Sequence, residues 1–127
     1  MKKEKFLKCH IQWESEKKII YSAIYHFMYC LVITTCSKDD EARIKEALLK
    51  EGLAACISSF DVSSSYIWKE RIEEAKERML FIKTKKEKWE KVKQRIKQLH
   101  SYELPEIICI DFDGSMDYLR WIDSVVK

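Results

Sequence analysis

The fold is decided by residues 65–84, which read SYIWKERIEEAKERMLFIKT. The side chains alternate along its first half, with Tyr66, Trp68 and Glu70 on one side and Ile67, Lys69 and Arg71 on the other. A period of two is expected of an extended ribbon with one covered face. The charged segment 73–76 is the predicted turn, and residues 77–84 return as a second strand. The sequence therefore predicts a long aromatic hairpin whose exposed edges invite pairing with other strands.

The segments before this hairpin alternate between strand and helix patterns. Residues 29–36 are rich in β-branched and apolar side chains, which is typical of a central strand buried on both faces. Ser37 has the position of an N-cap, and the helical apolar pattern that follows it ends at Gly52. Residues 53–60 form the second predicted strand, and the polar segment 61–64 is a predicted irregular bend.

The segments after the hairpin complete the architecture. Residues 86–100 have an apolar stripe that predicts an amphipathic helix. Pro105 precedes a predicted strand over 106–112, and Ser115 precedes a last helix. The order strand, helix, strand, strand, helix, strand predicts an α+β, ferredoxin-like split β-α-β sandwich with an extra C-terminal helix. Because that topology hosts many unrelated activities, function has to be argued from the site.

Five short motifs in order resemble the CutA family of divalent-cation-tolerance proteins. They are Leu53-Ala54-Ala55-Cys56-Ile57, Ser65-Tyr66-Ile67-Trp68, Glu77, Lys83-Thr84 and His100-Ser101-Tyr102-Glu103-Leu104-Pro105-Glu106-Ile107. The resemblance begins at Tyr29, so it implies a CutA-like domain over residues 28–127 and an N-terminal extension over 1–27. It also implies a trimer whose sheets join edge to edge, since a closed three-fold ring removes unpaired strand edges.

The charge of the chain is concentrated in that extension. The whole chain of 127 residues carries a net charge of +3 at pH 7. Residues 1–27 hold six lysines and three glutamates, which leaves 18 basic and 18 acidic residues in 28–127. A nucleic-acid-binding domain usually has a net basic face, so we expect no nucleic-acid partner. A single domain of 127 residues can bury a hydrophobic core without disulfide bonds.

The N-terminal region and the cysteines bear on location. Residues 19–36 contain no charged side chain, which suggests a membrane anchor, but tyrosines dilute the apolar run and its last third is needed as a core strand. We therefore expect no membrane partner.

The five cysteines form no Cys-x-x-Cys pair, and an odd number leaves one thiol over. This favours a reducing compartment, and we expect a cytoplasmic protein.

The sequence contains none of the motifs that mark an enzyme: no glycine-rich phosphate loop, no Gly-x-Ser-x-Gly and no His-Glu-x-x-His. We therefore expect no catalytic activity.

The resemblance implies a metal site with Cys56 and His100 as ligands, and thiolate and imidazole suit copper or another divalent metal. A cysteine of another family member aligns with Thr34, so Cys36 is the candidate third ligand. Alternatives are a small buried apolar role for Cys56 and a helix-capping role for His100.

A second candidate site consists of residues in which CutA proteins are most alike. They are Tyr66, Trp68, Glu77, Lys83, Tyr102 and Glu106. They would line a cleft between subunits, or the aromatics would fill the interface while Lys83 pairs with Glu77 or Glu106. The resemblance implies a non-catalytic homotrimer that binds divalent metal, with no obligatory cofactor. Alternatives are a regulatory trimer similar to PII proteins, which senses a small anion or metabolite, and a structural or scaffolding trimer.

Overall fold

The computed structural model describes residues 28–127, which form one four-stranded antiparallel sheet with helices on it. The predicted extension over 1–27 lies outside the described residues. The elements are β1 (Tyr29–Cys36), α1 (Lys38–Lys50), β2 (Cys56–Trp68), β3 (Arg71–Lys85), a 3-10 turn (Lys86–Lys88), α2 (Trp89–Leu99), β4 (Ile107–Asp111) and α3 (Met116–Val125). The sheet order is β2-β3-β1-β4. The predicted α+β split β-α-β architecture with an extra C-terminal helix is confirmed.

Helix α1 has the ends that the sequence predicts. The Ser37 hydroxyl accepts a hydrogen bond from the Asp40 backbone N–H at 3.1 Å, which satisfies one of the free donors of the first turn. At the other end Gly52 has a φ of +68°, a conformation that favours glycine. The N–H of Leu53 reaches back to the Leu48 carbonyl at 2.9 Å, which closes the helix. These two ends fix how β1 leads into β2.

The sheet has two unlike faces. On one face, side chains of β1 and β3 pack against α1 and α2, and the buried core there consists of Cys30, Val32, Cys36, Ile44, Leu48, Ala54, Leu80, Ile82, Val92 and Ile96. The register places a second set of side chains on the opposite face: Leu31, Ile33, Phe60, Met79, Phe81, Ile108 and Ile110. We call this second surface the open face. Within residues 28–127, α3 covers one end of the sheet, where Leu119 and Ile122 pack on Tyr29.

The hairpin turn lies at Lys69-Glu70, not at residues 73–76 as predicted. Trp68 pairs directly with Arg71, and Lys69 and Glu70 both have positive φ, at 50° and 68°. This is the geometry of a two-residue hairpin turn, which usually has glycine. No glycine marks this turn in the sequence, whereas segment 73–76 has the charged residues typical of one. That segment is instead part of β3, because it pairs with residues 63–66 of β2.

The predicted bend at 61–64 is also wrong, because β2 runs without interruption from Cys56 to Trp68. Strand β1 pairs only with residues 78–85 of β3. Residues 71–77 therefore extend past β1 with β2 as their partner in the described chain, over roughly 23 Å. Within this projecting arm Ile67 and Ile72 face each other across the strands and are 77% and 80% exposed. Two isoleucines in that position leave apolar surface in water.

Within residues 28–127 no helix has the length and apolar character needed to cross a membrane.

Candidate functional site

A cleft of about 820 Å³ lies between the projecting arm and the loop that follows α2. Its lining includes five of the six residues that the sequence singles out for a cleft: Tyr66, Trp68, Glu77, Tyr102 and Glu106. The arm supplies the first two because even-numbered residues of β2 share one face. Pro105 starts the approach to β4 and places Glu106 at the cleft. The fold therefore brings together residues that are up to 40 positions apart in sequence.

The cleft is acidic. The Tyr102 hydroxyl donates a hydrogen bond of 2.9 Å to Oε2 of Glu77, and Glu77 is buried. Burial and this hydrogen bond to the Glu77 carboxylate raise the pKa of Tyr102, so the phenol stays protonated as a donor. Glu103 and Glu106 add two more carboxylates, and none of the described lining residues is lysine or arginine. Such a site favours a cationic or neutral ligand over an anion.

Lys83 lies away from this cleft. Its Nζ donates to the Ser58 hydroxyl at 2.7 Å and is 3.7 Å from the Cys56 sulfur. The predicted ion pair of Lys83 with Glu77 or Glu106 is not formed in the described chain. The reason is the register: Lys83 and Glu77 are six residues apart on the same strand, roughly 20 Å, so an ammonium at one cannot reach a carboxylate at the other.

Cys56 is the first residue of β2 and is half-buried on the side of the open face. Its sulfur is close to the Lys83 ammonium, and the Tyr118 hydroxyl of α3 contacts it. Burial of Tyr118, together with its contact with Cys56, raises the pKa of that phenol. The surroundings of the Cys56 thiol are therefore not purely apolar, because a cation and a hydroxyl both point at its sulfur.

His100 is the C-cap of α2, and its side chain is fully buried. The Tyr102 backbone N–H donates to Nδ1 at 3.2 Å, and Nε2 is 2.8 Å from the Thr35 carbonyl oxygen. Because Nδ1 accepts, the hydrogen-bond network assigns the proton to Nε2, which donates to Thr35. Both ring nitrogens therefore have partners, and a metal would have to displace one of them. In the described chain His100 therefore ends α2, as in the capping alternative, and its ring also links Thr35 to Tyr102.

The three candidate metal ligands do not meet in one subunit. Cys36 aligns with Arg78 and faces the helices, whereas Cys56 aligns with Lys83 on the opposite side of the sheet. Five residues of β3, roughly 16 Å, separate the two levels. Burial, with the nearby Glu41 and Asp40 carboxylates, raises the pKa of the Cys36 thiol to about 12. Within residues 28–127 no three His, Cys, Asp or Glu side chains are grouped to hold a metal ion.

Sequence reasoning missed one buried carboxylate beside His100. Oδ2 of Asp40 accepts hydrogen bonds from the Ser101 N–H at 2.9 Å and the Ser101 hydroxyl at 2.6 Å. Burial opposes ionisation, but these two bonds, together with the nearby His100 and Arg43, hold the pKa of Asp40 below its ordinary value. The sequence showed Asp40 only as an acidic residue in the first turn of α1. Its pairing with Ser101, 61 positions away, has no local signal.

Known relatives share both this sequence and this fold. The family model described as CutA1 divalent ion tolerance protein matches residues 30–125. The divalent-cation tolerance protein CutA of Archaeoglobus fulgidus is 36% identical over 105 residues, which cover 82% of this chain and 100% of that protein. The corresponding protein of Pyrococcus horikoshii is 40% identical over 100 residues, with 76% and 98% of the two chains covered.

Solved structures give the same result. The structure of the periplasmic divalent cation tolerance protein CutA from Archaeoglobus fulgidus matches with a TM-score of 0.77 and 35% identity, over 79% of this chain and 100% of that one. CutA1 from Pyrococcus horikoshii matches with a TM-score of 0.74 and 38% identity, over 77% and 98%. The agreement extends over nearly the whole described region. The chain therefore belongs to the CutA1 divalent ion tolerance family.

Proposed function

We propose that this protein is a non-catalytic homotrimer that binds divalent metal such as copper and takes part in the response to metal ions in the cytoplasm. The observation behind the proposal is the position of Cys56, a half-buried thiol on the side of the sheet that also has the apolar open face. Family membership supports the link to divalent cations. The odd number of cysteines and the lack of a Cys-x-x-Cys pair favour a reducing compartment.

Assembly is supported by the surface that one subunit leaves uncovered. Phe60, Ile108 and Ile110 on the open face are exposed, and so are both isoleucines of the projecting arm. A contiguous apolar surface of this kind usually marks an interface. Strand β4 and the arm also present unpaired edges, which a closed ring of three copies would pair. Three copies of 15.3 kDa give 45.9 kDa, the mass expected in light scattering.

Metal binding needs more ligands than one subunit groups together. Cys56 offers one thiolate, while Cys36 points to the other face and both nitrogens of His100 have partners. On the proposed trimer the open faces meet, so other copies can complete the coordination around Cys56. This arrangement predicts that metal binding depends on assembly, with a stoichiometry set by the trimer rather than by each chain.

Titration of copper(II) and zinc into untagged protein tests this site. We expect Cys56→Ser to weaken binding at least about tenfold, and Cys36→Ser, which removes a thiol from the opposite face, to leave it unchanged. His100→Gln tests the imidazole, and a matching loss would place it in the same site after release from Thr35. Unchanged affinity in Cys56→Ser would remove the assignment of Cys56.

The cleft favours a second candidate, a regulatory trimer that senses a small ligand. Its volume of about 820 Å³ is within the range of small-molecule sites, and Tyr66 and Trp68 provide aromatic walls. Its three carboxylates argue for a cationic or neutral ligand in place of the small anion expected from the sequence. A thermal-shift screen of organic amines against organic acids tests this, with Glu77→Gln as the variant that should lose the response to amines. A trimer that binds neither metal nor small molecule would point to the scaffolding alternative.

A further inference from the structure

Two thiols other than the predicted metal ligands meet on the helix-facing side of the sheet. Cys30 pairs across β1 and β4 with Asp111, and Cys109 pairs with Val32, so the two cysteines are diagonal neighbours on adjacent strands. Antiparallel diagonal neighbours on one face are within reach of each other. Cys109 packs against the core that contains Cys30, while the Cys30 thiol donates to the Lys85 carbonyl at 3.8 Å. Burial, together with the neighbouring Cys109, raises the pKa of the Cys30 thiol to about 12. We call Cys30 and Cys109 the dithiol pair.

A cation stands beside this pair. Nζ of Lys86 is 3.6 Å from the Cys109 sulfur and 2.5 Å from Oδ1 of Asp111, which holds it in place. Lys86 is 37% exposed and Cys109 is half-buried, whereas Cys30 is enclosed in the core. The ammonium group is therefore next to a cysteine sulfur, where it would favour the negative charge of a metal-bound thiolate.

We propose that the dithiol pair binds a soft d10 cation, such as copper(I), through its two sulfur atoms beside the Lys86 ammonium. Soft thiolate ligands select copper(I), and ions of this class accept two-coordinate geometry. Zinc takes four ligands. Asp111 is already paired with Lys86, and residues 28–127 contain no third grouped ligand to complete a zinc site.

The binding step is balanced without an oxidant. Each thiol that still has its proton releases it to solvent, two sulfur–copper bonds form, and no electron is transferred. Two thiolates and one copper(I) ion have a net charge of −1, and the Lys86 ammonium, which is shared with the Asp111 carboxylate, partly offsets it. The site is separate from Cys56, because the register places Cys30 and Cys109 on the face opposite to Cys56. Copper(I) binding at the dithiol pair can therefore be tested separately from divalent-metal binding at Cys56.

Anaerobic titration of full-length protein with copper(I), in competition with bicinchoninate, tests the proposal. We expect one tightly bound copper(I) per chain and an ultraviolet thiolate-to-copper charge-transfer absorption. Cys109→Ser, a change at a half-buried position, should lose this absorption and weaken binding by more than about 100-fold. Cys30→Ser should do the same, and thermal melting confirms that each variant is folded.

Cys36→Ser is the matched control, because Cys36 is buried on the same face but outside the dithiol pair. It should leave the affinity and the absorption unchanged. Unchanged copper(I) binding in folded Cys109→Ser would overturn the proposal, and so would an equal loss in Cys36→Ser.

A second pair of variants tests the part assigned to the ammonium group. Lys86→Met should weaken copper(I) binding about tenfold. Lys85→Met is its control, because Lys85 is the neighbouring residue, pairs with Glu87 and projects from the other face. Equal affinities in these two variants would overturn the role of Lys86.

Discussion

At the scale of single residues, two buried threonines differ in the hydrogen bonding of their hydroxyl groups. Thr34 and Thr84 are both fully buried, yet the Thr34 hydroxyl has no hydrogen-bond partner in the described chain, whereas the Thr84 hydroxyl donates to the Leu53 carbonyl at 2.6 Å. An unsatisfied buried hydroxyl is unfavourable by about 1–3 kcal/mol. Thr34 is therefore not optimised for stability.

Replacement of each threonine by valine should have opposite effects. We expect Thr34→Val to raise the free energy of unfolding by about 1 kcal/mol, because it removes the unsatisfied group and keeps the shape. Thr84→Val should lower it by about 1 kcal/mol or more, because the Leu53 carbonyl loses its donor. Urea denaturation measures both. A loss of stability in Thr34→Val would show that the hydroxyl has a partner in solution.

Asp40 makes stability depend on acid pH. Its pKa in the folded protein lies below the unfolded value of 3.8, so the folded state binds fewer protons than the unfolded state in that range. Its contribution is fully present above pH 3.8 and is lost as the pH falls through the lower, folded pKa. Asp40→Asn should therefore show a flatter loss of stability with acid than the wild type.

Asp39→Asn is the control for this effect, because Asp39 is the exposed neighbour in the same helical turn. Its acid profile should follow that of the wild type. At neutral pH we expect Asp40→Asn alone to lose roughly 1–3 kcal/mol, since Ser101 keeps donors that an amide oxygen accepts less well. Denaturant unfolding at a series of pH values measures both. Parallel acid slopes for wild type and Asp40→Asn would contradict the assignment.

At the scale of elements, the hairpin turn is the place where sequence and backbone disagree. Glu70 has a φ of 68° without being glycine, and a left-handed conformation is unfavourable by roughly 1–2 kcal/mol for such a residue. Glu70→Gly should therefore raise the free energy of unfolding by up to about 1 kcal/mol after the greater freedom of glycine in the unfolded chain is subtracted.

Glu73→Gly is the matched control inside strand β3, where glycine weakens pairing. It should lower stability, and thermal melting of the two variants gives the comparison directly. A decrease in stability for Glu70→Gly would indicate that the Glu70 side chain makes a stabilising contact in the assembled protein.

The elements also show what the sequence can predict. β1, the capped start of α1 and the apolar stripe of α2 follow from local patterns, and β1 and the start of α1 are confirmed to the residue. Helix α2 begins three residues later than predicted, after the 3-10 turn over Lys86–Lys88. The turn at Lys69-Glu70 could not be predicted, because its positive φ values occur in residues that rarely adopt them. Five of the six residues predicted for a cleft line one cavity of the subunit, and the sixth, Lys83, lies elsewhere because strand register fixes its partner. Register and long-range pairs such as Asp40 with Ser101 have no local signature.

At the scale of the whole molecule, exposure alone does not distinguish an interface from ordinary surface. Ile110 on the open face is 48% exposed and Leu49 on α1 is 45% exposed. If three copies bury the open face, Ile110→Glu places a charge inside the interface and should give a single-subunit mass in light scattering at micromolar concentration. Leu49→Glu should keep the mass of three subunits. A wild-type protein that stays a stable single subunit would contradict the trimer.

The distribution of thiols over the two sheet faces has a consequence for measuring how this protein opens. Cys30 and Cys36 are enclosed between the sheet and its helices, while Cys56 and Cys109 are partly accessible. An alkylating reagent therefore modifies the enclosed sulfurs at the frequency with which helices lift from the sheet. Mass spectrometry of the labelled peptides would give local opening free energies for this chain without any added probe.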